Sequence, residues 1–199
     1  MEQVIIDFFK NLEAKQTELY SEAGLQHELA IYLRINHPEF TVKLEYPTTW
    51  IYPNSKLIKK EMDIYIQRGE DKYLIELKML KSNSGTPNQL YKTIEDVKFG
   101  EQLVELGFTN SYCILISNNP SVWQAKTAKG MIYKMFNGDR INISSIADLT
   151  ELQSFLQSNN CIQLSKTYSA GWNKLIDYNN VNWQYYILSI NENYALVCE

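Results

Sequence analysis

The chain has 199 residues, 45% of them hydrophobic, enough for one well-buried core and too few for two ordinary domains without a marked boundary. Its formal net charge of -4 argues against a polyanion coat or scaffold, though not against an enzyme whose basic residues line one cleft. Cys113, Cys161 and Cys198 are odd in number and widely spaced, which disfavours a disulfide framework or a structural zinc and suits a reducing compartment.

The first segment carries Val4, Ile5, Phe8, Phe9 and Leu12 at helical spacing with charges between them, so it reads as an amphipathic helix instead of a signal peptide. No apolar run approaches the roughly 20 residues that cross a bilayer. The expectation is a soluble, cytoplasmic protein without a membrane partner. A second helix starts near Ser21 and runs through Leu29 and Leu33 to a stop before Pro38. Thr41 to Tyr46 alternates as a strand, and an irregular stretch leads through Lys56, Lys59 and Lys60 to a hairpin.

That hairpin is the most informative part of the chain. Glu61-Met62-Asp63-Ile64-Tyr65-Ile66 and Tyr73-Leu74-Ile75-Glu76-Leu77-Lys78 flank a polar turn, taken as the four residues Arg68 to Asp71. Pairing Gln67 with Lys72 sets Asp63 opposite Glu76, Glu61 opposite Lys78 and Ile64 opposite Ile75. Alternation puts Met62, Ile64 and Ile66 on one face, and Glu61, Asp63, Glu76 and Lys78 on the other. Opposed carboxylates repel unless a cation offsets them. Magnesium is an obvious candidate, because it takes hard oxygen ligands and completes its shell with substrate phosphate. The other reading is a solvated charged face in which Lys78 pairs with Glu61.

After the hairpin come a polar loop from Lys81 to Asn88 and a helix over residues 89–106, with Leu90, Ile94, Val97 and Leu103 inward and Gly107 ending it. Ser111 to Ser117 is a buried strand. Helices are expected around residues 121–136 and 146–156, with a turn at Asn137-Gly138-Asp139. Further strands are expected at 161–168, 183–190 and 194–197. Trp172, Tyr178, Trp183, Tyr185 and Tyr186 crowd the last part of the chain; core packing is their ordinary use, and stacking of nucleobases is the alternative. Strands interleaved with helices imply an α/β fold with a mixed central sheet flanked by helices.

Asp63 at the start of one strand and Glu76-Leu77-Lys78 on the next resemble the core signature of the PD-(D/E)XK nuclease superfamily, to which many restriction endonucleases belong. The proline of that signature is absent, since Met62 precedes Asp63. The resemblance implies a restriction-endonuclease-like core within residues 22–135 of a single domain spanning 1–199. It implies a magnesium-dependent endonuclease, with manganese as a substitute, that hydrolyses nucleic acid, DNA before RNA. Asp63, Glu76 and the Leu77 carbonyl would hold the metal, and Lys78 would serve the attacking water. A glutamate on the preceding helix, Glu28 or Glu22, would join them, and Gln89 or Lys92 on the following helix would be auxiliary. Cutting both strands at one site would imply a homodimer. The rival reading is an inactive nuclease-like fold that binds nucleic acid or a protein. A histidine-based hydrolase is disfavoured, because His27 and His37 are the only histidines and no nucleophile elbow accompanies them.

Overall fold

A computed structural model describes residues 1–81, 85–124, 131–143, 162–178 and 181–192, with side chains omitted at 131 and 176–178. Two helices open the chain: α1 (Glu2–Lys15) and α2 (Glu22–Asn36). Ser21 caps α2, its hydroxyl oxygen accepting from Gly24 N at 3.0 Å, a bond of the kind that contributes about 1 kcal/mol. Strand β1 (Thr41–Pro47) and a short 3-10 turn (Thr48–Trp50) follow, and then the hairpin of β2 (Glu61–Arg68) and β3 (Asp71–Leu80).

The hairpin register is the one expected, with Gln67 beside Lys72 and Ile64 beside Ile75. Its turn is shorter than anticipated. Arg68 and Asp71 themselves pair, leaving Gly69 and Glu70 as a two-residue connection. Gly69 has φ 58°, a conformation that costs glycine little and is common in tight hairpins.

Helix α3 (Thr86–Glu105) is the crossover that lets β4 (Asn110–Ser117) lie parallel to β3. It begins three residues earlier than the periodicity suggested, with Pro87 in its first turn. Its expected inward positions, Leu90, Ile94, Val97 and Leu103, are all buried. Short helices α4 (Pro120–Trp123) and α5 (Met131–Phe136) replace a continuous helix over 121–136 as far as the described residues reach. Then come β5 (Arg140–Ile143), β6 (Tyr168–Gly171), β7 (Asn173–Tyr178) and β8 (Val181–Ile190). The helix expected at 146–156 and the strand at 194–197 lie outside the described residues.

Six strands form one mixed sheet in the order β1-β2-β3-β4-β8-β7, and β5 pairs with β6. Both faces of the sheet are covered. On one side α1 and α2 pack on Ile64, Ile66, Ile75, Leu77 and Ile114, and Phe9 stacks on Tyr185 with ring centroids 4.1 Å apart. On the other, α3, α5 and the β5–β6 pair pack on Tyr65, Leu74, Leu115 and Tyr186. β4 feeds both cores, Tyr112 and Ile114 to one and Cys113 and Leu115 to the other, which explains its unbroken apolar run.

Two strand expectations need correction. Met62 does not share a face with Ile64 and Ile66; it is buried in the α3-side core with Tyr65. Alternation breaks at Asp63, where the facing residue Glu45 takes a left-handed φ of 46° between the pairs Leu44–Ile64 and Tyr46–Met62. The strand expected at 161–168 starts only at Tyr168, because the Ser165 N–H is captured by the Glu101 carboxylate at 2.8 Å instead of a ladder carbonyl. Trp183, Tyr185 and Tyr186 are buried, so these rings pack the core and present no face for a base. Among the described residues no helix is long and apolar enough to cross a membrane.

Candidate active site

The hairpin ladder ends at Ile64–Ile75, and one step further its two carboxylates take over the pairing. Asp63 N donates to Glu76 Oε1 at 3.2 Å, and Leu77 N donates to Asp63 Oδ2 at 2.8 Å. Each acid thus accepts a main-chain N–H from the opposite strand, which holds the two side chains in fixed positions at the mouth of the hairpin. Helix α2 braces this point from outside. The Gln26 amide donates to the Asp63 carbonyl at 2.7 Å and to Glu45 Oε1 at 2.6 Å.

Three further elements close around the pair. Helix α3 supplies Asp96, the segment before β2 supplies Lys59, and α2 supplies Glu22. The Lys59 ammonium bonds Glu76 Oε2 and also Asp96 Oδ1, the latter at 2.8 Å. Lys78 Nζ lies 3.3 Å from Glu22 Oε1 and 3.7 Å from Asp96 Oδ2. Glu22 Oε2 in turn accepts from Met79 N at 2.9 Å, which ties α2 to the end of the motif strand.

The polar side of the hairpin is therefore not a solvated face. Glu76 is 1% and Asp96 4% exposed, beneath α3. Lys78 pairs with Glu22 and Asp96, while Glu61 is exposed and makes no ion pair among the described residues. Of the two helix glutamates it is Glu22 that reaches the cluster. Glu28 lies six residues along α2, about 240° round the helix at 3.6 residues per turn, and makes no ion pair or side-chain hydrogen bond among the described residues. Gln89 is exposed on α3 and not joined to the cluster, and Lys92 is exposed one turn before Asp96.

Asp96 carries no motif that marks it in the sequence. The available signal was a charge adjoining Val97 on the inward face of a helix bound to pack on the sheet, a position where an acid needs a partner. In the sequence Lys59 reads as one of the lysines flanking the hairpin, suited to contact a phosphate backbone or to sit in solvent on a loop. Nothing in an irregular segment announces that its side chain turns inward.

Four carboxylates, Glu22, Asp63, Glu76 and Asp96, face two ammonium groups, Lys59 and Lys78. Burial, then the neighbouring Asp63 and Asp96, push the Glu76 carboxyl well above its ordinary pKa despite its bond to Lys59. Burial also raises Asp63, with Lys59 and the Leu77 N–H opposing. For both lysines burial works against the charged form, but the acids outweigh it. Glu76 and Asp96 raise Lys59, and Asp96 and Glu22 raise Lys78. An acid-rich cluster with mostly buried hard oxygen atoms has the donor chemistry that a magnesium ion takes. The ligands are not gathered for one as they stand. Among the described residues no three acidic, histidine or cysteine side chains surround a common metal position, and the Lys59 ammonium occupies the space between Glu76 and Asp96.

One opening adjoins the cluster, and a second lies along α3 with no cluster residue in its lining. A surface cavity of about 430 Å³ is lined by Glu45, Lys59, Lys60, Glu61 and Asp63. A larger groove of about 970 Å³ runs along the outer side of α3, with Lys56, Lys92, Glu95 and Lys98 among its lining residues. Beyond the groove, buried Glu101 accepts from Ser165 Oγ at 2.7 Å, from Tyr168 OH at 2.8 Å and from Lys98 at 2.9 Å. Every Glu101 oxygen is thereby engaged in pinning residues 165–168 to α3, a structural use of a buried acid. No protein family, curated protein or solved structure matches this chain.

Proposed function

We propose that the chain is a metal-dependent nuclease of the PD-(D/E)XK type, hydrolysing phosphodiester bonds in nucleic acid, DNA first. The observation that carries this is the interlock of Asp63 with Glu76 beside Lys78 inside an acid-rich, buried cluster. The reading is also supported by the elements that carry these residues: Asp63 lies near the start of β2, Glu76 and Lys78 lie on β3, Glu22 comes from helix α2, and α3 packs behind.

Asp63 and Glu76, with the Leu77 carbonyl, are the residues that would hold magnesium or manganese. When bound, such an ion supplies a Lewis acid for the phosphate and a water of lowered pKa. Lys78 keeps its proton at neutral pH, because Asp96 and Glu22 hold its pKa up. It therefore acts as a positive charge and hydrogen-bond donor, not as a general base, and it orients the attacking water and stabilises charge developing on the phosphate. Glu22 and Asp96 position that ammonium. In-line attack by water forms the new P–O bond and breaks the bond to O3′, the water's proton passing to solvent and O3′ taking one from solvent, which leaves a 5′-phosphate and a 3′-hydroxyl. Flanking phosphates of the substrate lie in the α3 groove, where Lys56 and Lys92 are solvent-exposed.

The Lys59 ammonium between Glu76 and Asp96 favours a second reading, a nuclease-like fold that binds nucleic acid without cutting it. Incubating supercoiled DNA, single-stranded DNA and RNA with the protein and Mg²⁺ separates the two. Cleavage that stops on chelation and in Asp63→Ala and Lys78→Ala supports the nuclease. Equal product from wild type and both variants rejects it, and binding without cleavage supports the second reading.

A further inference from the structure

Lys59 stands out because it is a second ammonium group in a site whose motif needs only Lys78. Its backbone neighbourhood is fixed. Thr48 N and Thr48 Oγ1 both donate to the Lys60 carbonyl, at 2.8 and 2.9 Å, and Ile58 N donates to Gln102 Oε1 at 2.9 Å. The side chain is less confined. It is 27% exposed and lines the 430 Å³ cavity that Asp63 also lines. The aliphatic stem of a lysine can swing through its rotamers without moving the chain that carries it.

We infer that the Lys59 ammonium is the resident cation of the carboxylate cluster, and that a divalent ion enters only by displacing it into the adjoining cavity. The inference rests on the metal-dependent reading above and deepens it. Three observations converge on it. The ammonium bridges two buried acids from different elements, Glu76 of β3 and Asp96 of α3. Among the described residues the acids do not gather round a common metal position while the ammonium stands between Glu76 and Asp96. The cavity offers both an entry path and a place for the displaced ammonium, where Glu61 has no ion-pair partner among the described residues. Lys59 thereby spares the empty site the repulsion of its own ligands, at the expense of metal affinity, because each entering ion must first break two ammonium–carboxylate contacts.

The test is calorimetric titration of the full chain with Mn²⁺, comparing wild type with Lys59→Met, which keeps the stem and removes the charge. The expected result is a Kd at least about tenfold lower in the variant, a factor that corresponds to about 1.4 kcal/mol. Equal or weaker Mn²⁺ binding by Lys59→Met overturns the displacement and leaves the metal centre standing. No Mn²⁺ binding by either protein overturns the metal centre and the displacement together. A second measurement needs no variant: the rate of amine acetylation at Lys59, read by peptide mass spectrometry, should rise at least about threefold in wild type when Mn²⁺ is added. An unchanged rate contradicts the inference, since a displaced ammonium would be open to the reagent.

Discussion

Replacing Glu76 with glutamine probes the charge balance of the cluster without changing its volume. Glu76 is fully enclosed, and burial together with Asp63 and Asp96 raises its carboxyl pKa well above normal. A carboxyl with a raised folded-state pKa holds a proton that the unfolded chain releases. Wild-type stability should therefore fall as pH climbs from the ordinary glutamate value near 4.5 through the raised one. Glu76→Gln has no such loss. Each tenfold rise in the carboxyl's proton affinity costs about 1.4 kcal/mol once the group must ionise, a cost that glutamine avoids. Against this, the single amide oxygen cannot serve both Asp63 N and Lys59, so one hydrogen bond worth about 0.5–1.5 kcal/mol is lost. Lys59 keeps Asp96 at 2.8 Å, so no ammonium is left unpaired. The net expectation in chelator at pH 7.5 is a gain of about 1 kcal/mol, or about 2–4 °C in Tm for a chain of this length. At pH 4 the gap should close. Thermal unfolding at both pH values checks this, and a variant that melts several degrees below wild type at pH 7.5 refutes it. That outcome would mean the Glu76–Lys59 ion pair, rather than the excess of acid, governs the site.

Lys78→Met should lower single-turnover cleavage by about 100-fold or more while leaving duplex binding close to wild type, as loss of one transition-state donor does; unchanged cleavage would remove Lys78 from the mechanism. Lys56→Gln combined with Lys92→Gln should reduce the slope of log binding constant against log salt on duplex DNA by about 1.8, about 0.9 for each lost phosphate contact. An unaltered slope would place the substrate outside the α3 groove. Gly100→Ala should destabilise the fold by about 1–3 kcal/mol in denaturant titrations. A Cβ there would meet Ile190 Cδ1 at 2.6 Å and Ser111 Cβ at 3.1 Å, and a neutral result would show that the Ile190 side chain can turn aside at little cost.

Period-two alternation and one assumed pair, Gln67 with Lys72, were enough to bring Asp63 beside Glu76, because a sheet buried on both faces resists a slip of register. The same local logic found the inward residues of α3 and the buried strand β4. It failed wherever a distant partner decides. Met62 turns away from Ile64 because the strand distorts at Asp63, a distortion shared with Glu45. Residues 162–167 are not a strand because Glu101 claims the Ser165 N–H from 64 positions away. Within the site the pair and Lys78 were legible from a short motif, and Glu22 was one of two helix candidates. Asp96 and Lys59 meet the pair only once α3 has crossed the sheet and the segment before β2 has folded over it. Their spacing to the motif carries no period that could reveal them.

The most direct test is a crystal structure of the protein soaked with Mg²⁺ or Mn²⁺. One oxygen each from Asp63 and Glu76 should converge on a single ion, at roughly 2.1 Å for magnesium, with the Lys59 ammonium withdrawn from between Glu76 and Asp96. A soaked site in which Lys59 still bridges those two acids and no ion lies between Asp63 and Glu76 would contradict the account.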